Sequence, residues 1–208
     1  MWEKLEVIHL SPMDSDRFIS KWTDNGAYTA SSAYRAYFNG MTTLVGPKHV
    51  WRLAVPPKVK FFFWLALHGR LWTAERRKRH GLQQEAACVL CDQQDETTDH
   101  LLASCVFTRE VWHRLLSRVG MQHLVPADDS CLSEWWQNTR TSIPQHFKRS
   151  FDSLVLLVSW TIWKERNRRT FYRITRTPSQ LFALIREEAD VWIAAGFRCL
   201  ASLIALAT

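Results

Sequence analysis

Apolar residues recur at helical spacing over most of this chain. Between residues 106 and 119 they stand at Val111, Trp112, Leu115, Leu116 and Val119, the stripe that one face of an amphipathic helix needs. Residues 58–68, KVKFFFWLALH, carry an unusually wide apolar face. The Val55-Pro56-Pro57 sequence before them supplies proline where a first helical turn tolerates it. Residues 147–171 are nearly all apolar through their middle and charged at their C-terminal end, where cations suit the helix dipole. A long central helix is predicted there. Its apolar stretch, 151–163, is about 13 residues long and contains Asp152, against the ~20 residues of a membrane span.

Local start and stop signals divide the rest. Thr177-Pro178-Ser179-Gln180 reads as a capping box with proline at the first helical position, and Gly196 bends or breaks the helix it opens. Gly69 ends the helix begun at Lys58, Thr73 caps a short basic helix, and Gly81 stops that helix in the C′ position. Asp128 to Ser130 is expected to cap a helix that ends before Pro144. Ser31 or Ser32 is expected to cap another, running to about Phe38. Asn25-Gly26, between extended segments 17–22 and 26–29, is a hairpin signal. The predicted fold is mainly α, with a small N-terminal β-hairpin. Residues 1–45 hold the hairpin plus a helix, 46–120 a helical metal-binding domain, and 121–208 a helical C-terminal extension.

Composition adds two things. With 208 residues, 47% of them hydrophobic, and 11 tryptophans, the chain can bury a core without disulfides. Its net charge of +7 is patchy. Nine basic residues stand against Glu75 alone in 46–82, five acids and no Lys or Arg in 83–104, and six cations against Glu165 in 164–176. The N-terminal residues have acids where a secretory signal would be apolar, and five cysteines is an odd number. An intracellular protein, nuclear or cytoplasmic, with no transmembrane helix and with thiols or metal ligands in place of a disulfide framework, is expected.

Four residues carry definite chemistry: Cys88-x2-Cys91-x8-His100-x4-Cys105. A Cys-x2-Cys turn brings two thiolates to one ion, and a second pair completes a tetrahedron. Three thiolates and a neutral imidazole fill every position around Zn2+, so one structural zinc ion is expected. A thioredoxin-like redox motif is the rival for a lone Cys-x2-Cys. It leaves His100 and Cys105 unexplained, and the strand–helix alternation of that fold is missing. His100 and Cys105 lie roughly 140° apart on an ideal α-helix and cannot both face an ion from one. A short helix through His100, ending near Ser104 with Cys105 at the entry to the next, is therefore predicted. Cys131 and Cys199 lie outside the cluster and read as buried thiols.

The order WRLAVPPKVKFFFWLALHGRL, C-VL-C, ETTDHLLASC and REVW resembles the zinc-binding domain found at the C-terminal side of reverse transcriptases in plant LINE-type (non-LTR) retrotransposons. The matching positions are Trp51, Pro57, Lys58, Phe61, Phe62, Trp64, Cys88, Cys91, Glu96, His100, Cys105, Val111 and Trp112. KWTDNGAYTASSAY resembles the element before that domain, and WTIWKERNRRTF the element between it and a following ribonuclease H domain. The resemblance covers about residues 15–195. Family members often carry Pro after the last Cys, where Val106 stands here. It implies a detached, non-catalytic zinc-binding piece of a polyprotein, with its reverse transcriptase or ribonuclease H parts as partners.

No catalytic residues are expected. Asp128-Asp129 sits in LVPADDSCLSEWW, a loop-and-cap context unlike the β-hairpin that holds polymerase metal ions. No nucleophile elbow and no phosphate-cradling Gly-rich loop is visible, and neither a membrane nor a small-molecule substrate is indicated. Arg76, Arg77, Lys78 and Arg79, and Lys164, Arg166, Arg168 and Arg169, are candidates for RNA or DNA phosphates, with Trp72 or Phe171 near for stacking. Solvated helix faces are the alternative for both runs. A purely structural or protein-interaction module, with zinc as a fold staple, is the alternative function.

Overall fold

The computed structural model describes residues 20–21, 23, 25–29, 31–32 and 47–201. The chain divides into two compact units, Met1–Leu44 and Val45–Thr208. In the first, Gly26 adopts φ 67° and its N–H donates to the Thr23 carbonyl (3.1 Å). The predicted β-hairpin is not supported there: no strand occurs among the described residues, and the remainder of its arms lies outside them. Among the described residues the Ala27 N–H donates to Asn25 Oδ1 (3.1 Å), its carbonyl accepts from Thr23 Oγ1 (2.9 Å), and one backbone bond crosses the turn, from the Ser20 N–H to the Gly26 carbonyl (2.8 Å). Residues 31–32 are helical, and Thr29 and Ser32 bond each other's backbone. Thr29 Oγ1 accepts the Ser32 N–H at 3.0 Å, and Ser32 Oγ accepts the Thr29 N–H at 3.1 Å. The predicted continuation to about Phe38 lies outside the described residues.

The second unit is mainly helical. Helices α1 (Pro47–Val50), α2 (Pro57–Leu67), α3 (Ala74–Arg79), α4 (Val106–Arg118), α5 (Leu132–Ser142), α6 (Lys148–Tyr172) and α7 (Pro178–Ala194) follow one another along the chain. The local signals worked where a side chain sits beside the backbone it caps. Thr73 Oγ1 accepts the Arg76 N–H, and Thr177 and Gln180 form the full capping box. α7 ends at Ala194, and Gly196 follows at φ 95°. The expected cap of α5 did not form. Cys131 occupies its N-cap with no side-chain bond, and Asp99, 33 residues upstream, accepts the Leu132 N–H at 2.8 Å. Among the described residues no helix is long and apolar enough to cross a membrane.

α6 is the axis of the unit. Phe151, Leu154 to Val158 and Ile162 are buried around its circumference, as its nearly uniform apolar pattern demands. α2 packs on it through Phe62, whose ring meets Trp160 edge-on (5.2 Å) and Trp163 (5.9 Å). α7 covers a second side and also packs against α4, and α5 covers a third. Asp152, the one acid within the apolar stretch, is fully buried and satisfied. Trp136 Nε1 donates to Oδ1 (2.8 Å), Arg140 Nε lies 2.7 Å from Oδ1, and His49 Nε2 is 2.8 Å from Oδ2. Three helices are thereby tied to one carboxylate. Truncating Leu157, which is fully buried, to Ala should cost about 2–5 kcal/mol by urea denaturation. The same change at Trp160, which is only partly buried, should leave more of the stability intact.

Candidate metal centre

The centre starts from a doubled-back loop. Cys88 N–H donates to the Gln94 carbonyl (2.8 Å) and Glu96 N–H to the Ala86 carbonyl (2.7 Å), flanking an antiparallel bridge between Ala87 and Asp95. Between these bonds Asp92 takes a left-handed φ of 57° and donates its N–H to the Cys88 carbonyl (2.7 Å). This knuckle holds Cys88 and Cys91 on one side of the turn. Thr97 Oγ1 then accepts the His100 N–H (3.0 Å) and starts the helical segment carrying the third ligand candidate.

The second pair is reconciled by a change of helix type. Residues His100–Ser104 form a π-helical turn, and the Cys105 N–H donates to the His100 carbonyl at 2.7 Å. An i→i+5 bond widens the turn so that residues five apart come into line, which an α-helix forbids. Cys105 is also the N-cap of α4 and accepts the Arg109 N–H (2.8 Å), which places the ligand at a helix entry as predicted. The wide turn frees carbonyls that α4 then satisfies. Thr108 Oγ1 donates to Leu101 (2.7 Å) and Trp112 Nε1 to Leu102 (3.3 Å).

The ligand atoms of Cys88, Cys91, His100 and Cys105 all lie within 4.8 Å of one another, a cluster that can hold a metal ion. Cys88 Sγ is 4.0 Å from Cys105 Sγ, and Cys91 Sγ is 3.3 Å from His100 Nε2. A tetrahedral zinc with ordinary bond lengths sets sulfur–sulfur edges of about 3.8 Å and sulfur–nitrogen edges of about 3.6 Å, so the donors fit. Electrostatics also favours a cation here. The hydrogen bond to Cys105 and then burial push the Cys88 thiol far up. Burial pushes Cys91 up as well, and the Cys88 hydrogen bond holds Cys105 down at about 4. Three adjacent sulfurs cannot all ionise without a positive charge between them.

Beneath the knuckle lies a buried carboxylate. Glu96 is 0% exposed, and its Oε1 accepts the Ala74 N–H at the start of α3 (2.8 Å). The same atom accepts from Arg166 Nε and Nη2 (2.9 and 2.7 Å), and Arg166 is itself 3% exposed. One turn further along α6, Arg169 donates to the Val89 and Leu90 carbonyls of the knuckle (3.4 and 3.3 Å), to the Arg176 carbonyl (2.7 Å) and to Glu165 (3.0 Å). The candidate phosphate ligands of the second basic run are thus spent mainly within the protein. Arg166 and Arg169 hold the knuckle, Lys164 pairs with Glu188 (2.9 Å), and Arg168 lies 3.8 Å from Glu165. In the first run Arg79 pairs with Glu75 (3.2 Å), Arg76 and Arg77 are half-buried, Arg76 over the Trp72 ring (4.9 Å), and Lys78 is exposed. Sequence reasoning missed Glu96 and Arg166 as partners. Each stands in a segment that carries the resemblance, but nothing local joins them.

The geometry gathers a Cys3His set that could hold a metal ion, buttressed by an α-helical core. A family model described as zinc-binding in reverse transcriptase matches residues 28–112, a span that contains all four ligand candidates. Over 173 residues the chain is 23% identical to a protein of Arabidopsis thaliana provisionally named a ribonuclease H protein. The match covers 77% of this chain and 26% of that protein, so the chain spans about a quarter of the relative's length. No solved structure matches the chain.

Two outcomes test this centre. Arg166→Ala leaves the Glu96 charge buried and unpaired, and should destabilise the protein by about 3–5 kcal/mol in urea unfolding. The double change Glu96→Leu with Arg166→Met should recover much of that loss. Metal uptake should be pH-linked, because the Cys105 hydrogen bond raises the Cys88 thiol and burial raises Cys91, and both must lose a proton to bind a metal. Binding at neutral pH should release thiol protons, and acidification should expel the metal. Calorimetry in buffers of different ionisation enthalpy reads the first effect, and chelator competition at falling pH the second.

Proposed function

We propose that this chain is a non-catalytic zinc-binding module of a plant LINE-type retrotransposon polyprotein, holding one structural Zn2+ and assisting a neighbouring polymerase in retaining RNA or DNA. The observation that carries the reading is the convergence of Cys88, Cys91, His100 and Cys105 within 4.8 Å. Four protein ligands leave no position for water or substrate, so zinc there would stabilise the fold without doing chemistry. The family match supports the metal and the polymerase context. The relative's name and its greater length favour a module working beside ribonuclease H sequence. The helical extension belongs to the same working unit, because Arg166 and Arg169 reach from α6 into the knuckle. The net charge of +7 and the surface cations of α3 suit a nucleic-acid partner.

A second reading, a protein-interaction module, has one observation in its favour. Phe61 stacks on Trp64 at 6.2 Å yet stays 54% exposed, and Trp51 is 49% exposed, which leaves an aromatic face on and beside α2. Elemental analysis should find one zinc per chain, and Cys88→Ser or Cys91→Ser should abolish it. Chelation should melt residues 88–119 first in hydrogen exchange. A folded, metal-free preparation would refute the zinc reading. Binding to nucleic acid that weakens steeply with salt separates the first reading from the second.

A further inference from the structure

We infer that the cleft between Trp72 and Phe171 is a stacking slot for unpaired bases of a single-stranded nucleic acid. The inference rests on the nucleic-acid part of the proposed function and assigns it a place and a strandedness. Two basic segments far apart in sequence, one on α3 and one at the end of α6, meet at a cleft of about 300 Å3. Trp72, Arg77 and Leu82 line one side, and Trp163, Asn167 and Phe171 the other. Trp72 is 49% exposed, Leu82 61% and Phe171 62%, so large apolar side chains from separate elements stand open on one depression. None of the three belongs to the buried core, which leaves their apolar faces open at the cleft.

The chemistry of the lining selects the occupant. No carboxylate lines the cleft, and Arg77 has no acidic partner among the described residues. Arg166 forms part of the floor, but its charge is already matched by Glu96, so the interior suits an uncharged ring and the rim suits phosphate. The Trp72 indole is held in place. The Arg76 guanidinium lies 4.9 Å from its ring centroid and donates to the Gly69 carbonyl (3.0 Å), and His80 meets the ring edge-on at 5.3 Å. A fixed aromatic surface stacks a base at little entropic cost and without regard to base identity. Asn167 Oδ1 accepts from Arg166 Nη1 (3.1 Å), which leaves its –NH2 group to donate to a base edge. The flanking cations Arg77 and Lys78 would follow the phosphates. A duplex keeps its base faces stacked on one another and offers none to such a slot.

The test uses the full chain, loaded with zinc, and labelled oligonucleotides of one sequence as single-stranded RNA, single-stranded DNA and duplex DNA. Anisotropy titrations over a salt series read affinity and salt slope together. One or both single strands should bind at least tenfold tighter than the duplex, and the two single-strand arms tell which strand chemistry is preferred. Trp72→Leu and Phe171→Leu should each weaken single-strand binding by about five- to a hundredfold with the salt slope unchanged. Trp72→Tyr should keep most of the affinity, and Arg77→Ala should lower the slope by about 0.7. Zinc content and helical circular dichroism of each variant confirm that it is folded. Wild-type affinity in both leucine variants, or duplex bound as tightly as single strands, would overturn the slot while leaving general nucleic-acid binding in place. Absence of binding to all three probes at low salt would overturn both.

Discussion

The Glu96 carboxylate is the point on which the zinc-motif half of this protein is hung. One of its oxygens receives the first N–H of α3 and the guanidinium of Arg166, so a single buried atom joins the knuckle, a short basic helix and the central helix α6. A carboxylate this deep is tolerated only because its charge is compensated at hydrogen-bond distance and because the N-terminal end of a helix also faces it. The same demand runs in reverse: Arg166 has to lie buried on α6, so α6 cannot slide or rotate without stranding both charges. Arg169, three residues on and on the same face, extends the grip to the Val89 and Leu90 carbonyls beside the candidate ligand cysteines.

A second constraint acts within the ligand set. His100 and Cys105 have a spacing that no α-helix can use, and the backbone answers with one π turn closed by the Cys105 N–H. Such a turn loosens the hydrogen bonding around it, and the released Leu101 and Leu102 carbonyls are taken up by Thr108 and Trp112 of α4. Trp112 therefore does two jobs. Its ring fills the core against Trp135 (4.9 Å), and its N–H secures the ligand-bearing turn. The Val-Trp pair after the last cysteine thus has a physical reason to stand where it does.

These supports change how the charge of the protein is understood. Two basic runs of similar appearance have different fates. On α6 the guanidinium groups of Arg166 and Arg169 are consumed by carboxylates and carbonyls, whereas on α3 half-buried Arg77 and exposed Lys78 have no acidic partner among the described residues. A binding surface built on this molecule has to draw on the cations that the scaffold does not need. The cleft beside Trp72 is bordered by one of these, while its floor rests on the arginine that the scaffold does need.

Much of the architecture was legible in the sequence. The apolar stripe of α4, the all-round apolar α6, the caps at Thr73 and Thr177 and the break at Gly196 depend on contacts within a few residues, so they follow from residue type and spacing. The four ligand candidates were legible for the same reason, since they fall within eighteen residues and their residue types have few uses in common. Where local bonds compete, the sequence was ambiguous: Asn25-Gly26 signalled a hairpin, yet among the described residues no strand forms and the side chains of Thr23 and Asn25 bond the backbone of Ala27. Tertiary structure alone decided the partners of buried charges. Asp99 caps a helix 33 residues away, Glu96 meets Arg166 across 70 residues, and Asp152 gathers His49, Arg140 and Trp136. A carboxylate's strand of sequence does not say which cation will stand over it. That follows from which helices pack side by side, because desolvation forbids leaving either charge alone once they do.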